Sequence, residues 1–159
     1  MQKITLISVG ALKEDYFRAA AAEYEKRLSG LCRLNNINLK EETIRDENSA
    51  TEILSALEKE GERIFSAIPQ RAYRIALCIE GAQPSSEELA QRLERISLNS
   101  PEICFIIGSS HGLSDKVKDS CDERLSISRL TFPHRLARVI LLETIYRALS
   151  INGGGKYHK

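Results

Sequence analysis

Three histidines and a glycine-rich segment lie in the last third of the chain. His111 lies within Gly108–Gly112, His134 follows Pro133, and His158 is the penultimate residue. An imidazole can take up or release a proton near neutral pH, and glycines leave backbone N–H groups open to a close ligand. The pattern is compatible with a ligand site that has acid–base capacity, although the glycine segment taken alone is better explained as a plain turn. Chance placement of the histidines, local helix capping by His134 and a plain glycine turn are the alternatives.

Several catalytic motifs are missing from the sequence. The glycine segment has no Gly-Lys-Ser/Thr, and no G-x-G-x-x-G follows the first predicted strand, so a triphosphatase and a dinucleotide-binding fold are disfavoured. A G-x-S-x-G serine elbow is also missing. A Cys–His pair could involve Cys104 or Cys121, but Cys104 lies within an apolar run where nothing would lower its pKa.

The four cysteines, Cys32, Cys78, Cys104 and Cys121, are scattered and form no C-x-x-C. We interpret them as small buried hydrophobic residues of a reducing compartment, so neither a disulfide framework nor a zinc site is expected.

Charge is concentrated at the end of the chain. Residues 125–159 contain six Lys or Arg and one acid, Glu143, a net charge of +5; the whole chain carries +1, so the first 124 residues carry −4. The near-neutral total argues against nonspecific coating of nucleic acid, whereas the basic segment allows a local site for an anionic partner. A solvated basic surface is the alternative. Glu143 and Arg147 have the spacing of a helical ion pair.

Length and hydropathy favour one domain over residues 1–159. No apolar run approaches the ~18–20 residues of a membrane helix. The start, MQKITLISVG, resembles a strand more than a signal peptide. We therefore expect a cytoplasmic protein without a membrane partner.

Apolar runs, caps and breakers predict strands alternating with helices. The strands are predicted at 4–9, 31–39, 75–79, 103–107 and 124–128. The helices are predicted at 14–29, 49–68, 85–98, 114–121 and from about 133 to 152. This alternation predicts an α/β fold with a parallel sheet and helices on both faces. Ligands of such sheets bind beyond the carboxyl ends of the strands, where segments 80–81, 108–112 and 126–133 would meet.

Local signals refine these elements. Ser49 with Glu52 and Ser85 with Glu88 predict two capping boxes. Glu80-Gly81 and Pro84 predict a turn. The buried stripe of the second helix is predicted to consist of Ile53, Leu54, Leu57, Ile64 and Phe65.

The final helix is predicted to be apolar all round. Thr131 can cap it, Pro133 suits its first position, and Asn152 with Gly153 can end it. Within it, residues 139–142 read Val-Ile-Leu-Leu and cover every direction around the axis. One sheet face cannot cover such a helix completely, so we expect a second copy of the chain to cover the rest, as a homodimer.

Several segments together resemble a known family. FIIGSSHGL, LSISRLTFPHRLARVILLETIYRALSI and GGKYHK are similar to the RlmH family of SPOUT methyltransferases, and ITLISVGALKE and EYEKRL fit its start. The resemblance spans the chain. It implies an α/β knot whose C-terminal segment is threaded as a trefoil, which nothing in the periodicity indicates. It also implies S-adenosylmethionine as cofactor, no metal, and methylation of N3 of a pseudouridine in 23S rRNA on the assembled ribosome.

The resemblance assigns roles position by position. The proton on N3 must leave, and either a base such as His158 or a nearby cation such as Arg138 would assist; the choice stays open. Substrate-binding positions are Tyr146, Arg147 and Tyr157. The implied cofactor-binding residues are Leu77, Gly108, Ile127, Ser128, Arg129, Leu130, Thr131 and Phe132.

Four positions depart from the family pattern. Ser109 replaces a usual glycine, which is tolerable if its backbone angle is ordinary. Cys78 replaces a usual acid, Thr144 a glutamine and Lys156 a proline. Two rival hypotheses remain: another SPOUT enzyme acting on a ribose 2′-hydroxyl or a tRNA base, and a catalytically silent dimer that binds a ribosomal surface.

Overall fold

The computed structural model describes residues 1–155 as five strands alternating with five helices. The strands are β1 (Lys3–Val9), β2 (Arg33–Leu39), β3 (Ala72–Ala82), β4 (Glu102–Ile107) and β5 (Glu123–Leu125). The helices are α1 (Asp15–Leu28), α2 (Ala50–Ala67), α3 (Ser86–Asn99), α4 (Asp115–Asp119) and α5 (His134–Asn152). The predicted order of elements is confirmed, with β5 shorter and β3 longer than expected.

The strands form one parallel sheet in the order β2-β1-β4-β3-β5. Strand β4 lies at the centre, and its residues from Ile103 to Ile107 are all buried. A central parallel strand is covered on both faces, which explains its continuous apolar run. The carboxyl ends of β3, β4 and β5 therefore lie side by side at one edge of the sheet.

Helices cover both faces, as predicted. Alternate strand residues such as Ile4, Leu6 and Phe105 join a core with α1, α3 and α5, while Ile7 and Ile106 join a second core with α2 and α4. This division follows from the two-residue period of a strand. Helix α5 packs against both α1 and α3.

The capping signals hold with one correction. The box at the start of α3 is complete. At α2, the Ser49 hydroxyl accepts a bond from the Glu52 N–H (3.2 Å), but the Glu52 carboxylate accepts from the N–H groups of Arg45 (2.6 Å) and Asp46 (3.2 Å). The predicted bond from the Ser49 N–H to the Glu52 carboxylate is therefore wrong. Glu52 instead bonds to the segment that precedes the helix. The predicted buried stripe of α2 is also wrong at Leu54, which is 63% exposed.

Strand β3 does not turn at Glu80-Gly81, so the predicted turn is wrong. The strand continues to Ala82, and both Leu77 and Ala82 pair with Leu125 of β5, which loops out the residues between them. A Cβ on Gly81 would lie 2.5 Å from the carbonyl carbon of Leu125. Glycine is required there because two strands approach backbone to backbone. Such bulges commonly re-aim side chains beside functional sites.

The N-cap of helix α5 lies two residues after the predicted N-cap, Thr131. Pro133 occupies the N-cap position, and among the described residues no side chain caps the helix, so the prediction for Thr131 is wrong. The left-handed residue at its end is Gly154 (φ 71°), just beyond Gly153. None of the described side chains from His134 to Ile151 is exposed. The core side of the helix is fully buried, and the side bearing residues 139 and 140 is half-buried by this chain alone.

Residues 1–155 contain no helix that is both long and apolar enough to cross a membrane. Over the same residues, no three His, Cys, Asp or Glu side chains cluster as metal ligands would.

Candidate functional site

A pocket of about 300 Å³ lies at the carboxyl ends of β3, β4 and β5. Its walls come from three segments, residues 77–80, 107–113 and 126–132, with Lys118, His134 and Ala137 closing the sides. The sequence predicted that the loops after these strands would meet, and they do. The parallel sheet brings them together because neighbouring strands end at the same edge.

Most residues assigned to cofactor binding by resemblance surround this pocket. Arg129 is exposed and does not line it. The assigned residues that line it are Leu77, Gly108, Ile127, Ser128, Leu130, Thr131 and Phe132. The accessible walls are mainly apolar, and the polar side chains among the lining residues include Glu80, His111 and Lys118.

The glycine segment closes tightly on itself. A Cβ on Gly108 would lie 2.2 Å from the carbonyl oxygen of Gly112, so any side chain there would push the loop open. The Gly112 N–H donates to the Ser109 carbonyl (2.9 Å), and Gly112 has a left-handed φ of 79°. Among the described non-glycine residues only Arg71 has a positive φ, so Ser109 is ordinary backbone, the condition under which it can replace glycine.

The segment after β5 is shaped by its own serines. The Ser126 N–H donates to the Ala82 carbonyl (2.8 Å), and the Ser126 hydroxyl donates to the Ser128 carbonyl (3.1 Å). The Ser128 hydroxyl accepts from the Leu130 N–H (3.0 Å). These local bonds turn the chain around the pocket and leave Leu130 71% exposed at the rim.

Two of the three histidines line the pocket, as predicted. His111 Nε2 lies 2.6 Å from a carboxylate oxygen of Glu47. His134 is half-buried, and desolvation lowers its pKa despite the nearby Glu41, which favours the neutral imidazole. The third, His158, lies outside the described residues.

A cluster of three charged side chains lies at the rim of the pocket. Lys118 Nζ donates to Glu80 at 2.7 Å, and Arg124 Nη1 lies 3.8 Å from the same carboxylate. The bond from Lys118 holds the pKa of Glu80 below its usual range, so this carboxylate stays ionised. The bulge in β3 places Glu80 there.

The chain as a whole matches one family. A family model described as "Predicted SPOUT methyltransferase" matches residues 2–158. The chain belongs to the SPOUT methyltransferase family.

Relatives agree with this SPOUT assignment, and a solved structure shows the same fold. The chain is 45% identical to Ribosomal RNA large subunit methyltransferase H of Clostridioides difficile and 48% identical to the protein of that name from Caldicellulosiruptor bescii, in each case over 98% of this chain and 99% of the relative. A probable methyltransferase from Bordetella pertussis has the same fold, with a TM-score of 0.58 at 15% identity over 93% of this chain and 96% of that one. The resemblance to the RlmH family is confirmed.

The remaining assigned residues of this SPOUT chain lie away from the pocket or outside the described range. Arg138 is 7% exposed, lies in a small space on the β1 side of Gly108, and its Nε has no hydrogen-bond partner within residues 1–155. Tyr146 is twelve residues beyond His134, about 18 Å along the helix. Arg147 forms the predicted ion pair with Glu143 (2.7 Å). Tyr157 is outside the described residues.

The departures from the family pattern have local consequences. Thr144 donates to the Ile140 carbonyl (2.7 Å) and is thus satisfied within its own helix. Cys78 lines the pocket, and burial raises the pKa of its thiol. Lys156 is outside the described residues. Cys104 is buried as predicted, and burial raises its pKa to about 12.

One buried polar residue was missed by sequence reasoning. Glu60 is 3% exposed and is bonded to the Ser109 hydroxyl, directly behind the pocket. It follows Leu57 by three residues and precedes Ile64 by four, so it lies on the buried stripe of α2. This spacing could have predicted that Glu60 is buried.

The four thiols should differ in reactivity. We expect iodoacetamide at mildly alkaline pH to label half-buried Cys78 and Cys121 in the folded protein, faster as the pH rises because the thiolate is the nucleophile. Cys32, with a pKa raised to about 11 by burial, and Cys104 should be labelled only after unfolding. Mass spectrometry of tryptic peptides measures the rates. If Cys104 were labelled as fast as Cys121, the burial of Cys104 in the core would be contradicted.

Proposed function

We propose that this protein transfers a methyl group from S-adenosylmethionine to N3 of pseudouridine 1915 in 23S rRNA on the assembled ribosome. The observation that carries the proposal is the full-length match to relatives named Ribosomal RNA large subunit methyltransferase H, with the glycine segment and the segment after β5 meeting at one pocket. The basic C-terminal segment, +5 over residues 125–159, suits a ribosomal RNA surface. Such a target implies action in the cytoplasm, without a metal or a membrane.

The pocket fits the proposed cofactor in size and chemistry. About 300 Å³ is within the usual range for small-ligand sites, and mainly apolar walls with a few polar groups suit an adenosyl moiety. We propose that Leu77 and Gly108 line one side and residues 127–132 wrap the other, with Arg129 contributing backbone only. Bound there, the cofactor would supply an electrophilic methyl group on a sulfonium.

The protein's own contribution is positioning and proton handling. Methyl transfer needs the base nitrogen aligned behind the methyl group, so a rigid pocket lowers the barrier mainly through orientation. The N3 proton must also leave. We propose His158 as its acceptor and Arg138 as the cation that favours the anionic base; Arg138 is buried and would act across the glycine loop without touching the substrate.

The proposed enzyme works as a homodimer. Tyr146 lies nine residues beyond Ala137, the last residue of α5 that lines the pocket, which is about 14 Å along the helix, and Arg147 lies one residue further; both are too far to hold a base at that pocket. In a dimer joined through the half-buried side of α5, they would lie near the partner's pocket. We further propose that the segment from residue 126 onward is threaded through a loop as a trefoil knot, the arrangement the family implies.

The rRNA target is tested in a strain lacking this gene. We expect mass spectrometry of its 23S rRNA to show loss of one methyl group at pseudouridine 1915, restored by a plasmid copy. The pseudouridine itself should persist, because only methylation is removed. A methyl group still present at that base would eliminate the assignment and favour a different RNA target or a silent ribosome-binding role.

Cofactor binding is tested by calorimetry. Phe132→Ala removes a ring from the pocket wall, and we expect S-adenosylmethionine to bind about tenfold to hundredfold more weakly. Leu54→Ala, which truncates an exposed leucine on α2, is the matched control and should bind as the wild type does. Equal affinity in both variants would place the cofactor elsewhere.

The dimer is tested by sedimentation velocity. Ile140→Glu places a carboxylate on the half-buried side of α5, and we expect a dimeric wild type to become monomeric because an unpaired charge is costly to bury. Leu54→Glu, on the opposite face of the sheet, should remain dimeric. A monomeric wild type would refute the proposed assembly directly.

A further inference from the structure

A buried carboxylate lies behind the pocket without lining it. Glu60 of α2 is 3% exposed, yet both of its oxygens accept hydrogen bonds. One accepts from the Ser109 hydroxyl (2.8 Å) and the other from the Glu42 N–H (2.9 Å). A carboxylate is expensive to bury unless such bonds replace water. This one is buried at the point where α2 meets two loops.

The neighbouring glycine explains how the carboxylate reaches the loop. A Cβ on Gly61 would lie 3.2 Å from the Ser114 hydroxyl oxygen and 3.3 Å from a methyl of Val117, so α2 and the start of α4 approach closely there. Helix α4 directly follows the glycine segment in the chain. The close approach brings Glu60 within hydrogen-bond range of that segment.

On the pocket side, the bond from Glu60 ends on the glycine loop itself. Ser109 is buried, follows Gly108, and its carbonyl accepts the Gly112 N–H that closes the loop. Because Gly108 and Gly112 pack backbone to backbone, a shift of Ser109 must move the whole loop. That loop forms one side of the pocket.

On the other side, Glu60 holds the connector between β2 and α2, residues 40–49. Arg63, one turn further along α2, pairs with the Glu42 carboxylate and donates to the Lys40 carbonyl (2.8 Å). The same connector reaches the glycine loop again through Glu47 and His111 (2.6 Å). Helix α2, the connector and the glycine loop are therefore each bonded to the other two, and Glu60 bonds to both the connector and the loop.

We propose that Glu60 is a positioning residue for the methyl donor: through Ser109 and Glu42 it clamps the glycine loop and the connector to α2 and so sets the shape of the pocket. The inference rests on the proposed function, because the ligand it positions is S-adenosylmethionine. Both of its partners are donors, which suits a side chain that only accepts. The Ser109 hydroxyl is the only group of the glycine segment that is observed to bond to Glu60 within the described residues.

The test compares four variants by calorimetry with S-adenosylmethionine and by methylation kinetics on ribosomes. Glu60→Leu removes both acceptors, and we expect about tenfold or more weaker cofactor binding with the KM for ribosomes unchanged. Glu60→Gln should recover most of this loss, because its amide oxygen can accept from Glu42 and its amide nitrogen can donate to Ser109. Ser109→Ala should weaken cofactor binding by a smaller factor. Glu58→Leu, an exposed glutamate on the same helix, is the control.

Hydrogen exchange separates positioning from general destabilisation. Residues 108–113 should exchange faster in Glu60→Leu and Ser109→Ala while the central strand β4 stays protected. If Glu60→Leu does not fold, Ser109→Ala decides, since it changes only the loop end of the contact. Normal cofactor affinity in folded Glu60→Leu and in Ser109→Ala would overturn the role of Glu60 alone, whereas a wild type that binds no S-adenosylmethionine would overturn the proposed function as well.

Discussion

The pocket depends on two places where main chain packs directly on main chain. At Gly81, β3 lies so close to β5 that a Cβ would be 2.5 Å from the Leu125 carbonyl carbon; at Gly108, a Cβ would be 2.2 Å from the Gly112 oxygen. The first contact loops out part of β3 to form the charged rim, and the second closes the glycine loop. Since neither tolerates a side chain, the shape of both walls is set by backbone geometry, and the apolar side chains only line what the backbone has shaped.

Helix α5 makes this geometry rigid. Its first turn lines the pocket, and its core side is buried against α1 and α3. Arg135 pairs with Glu14 at the start of α1 (2.6 Å), and the Asn152 amide donates to the Ala90 carbonyl of α3 (2.8 Å), so both ends are tied to neighbouring helices. The segment 126–132 is thus held between a sheet edge and a buried helix. A site supported in this way can orient a ligand more precisely than a loop fixed at one end.

The strands and helices could be predicted from the sequence because they depend on the local pattern of residues. The buried run 103–107 and its neighbours fixed the strands, because central parallel strands are apolar on both faces. Glu80-Gly81 was misread as a turn, since its glycine is required by a partner strand more than forty residues away. Thr131 fits the cap pattern but lies in the wall of the pocket. Leu54 fits the helical period on a side that no element covers. Glu60 fits the buried stripe but is acidic, and only the tertiary structure supplies the donors that allow it to be buried.

The proposed chemistry also explains why a chain with one pocket would need a second copy. Along α5, the residues assigned to the reaction separate with the helical rise: His134 lines the pocket, Arg138 is buried behind the glycine loop, and Tyr146 and Arg147 are about 18 Å from His134. Because the helix rises about 1.5 Å per residue, it cannot bring these groups back onto its own pocket. Two-fold pairing through the half-buried side of α5 would carry one copy's substrate-binding residues towards the other copy's methyl donor. In the proposed dimer, the half-buried apolar side of α5 would join the two subunits, and the same contact would complete each site.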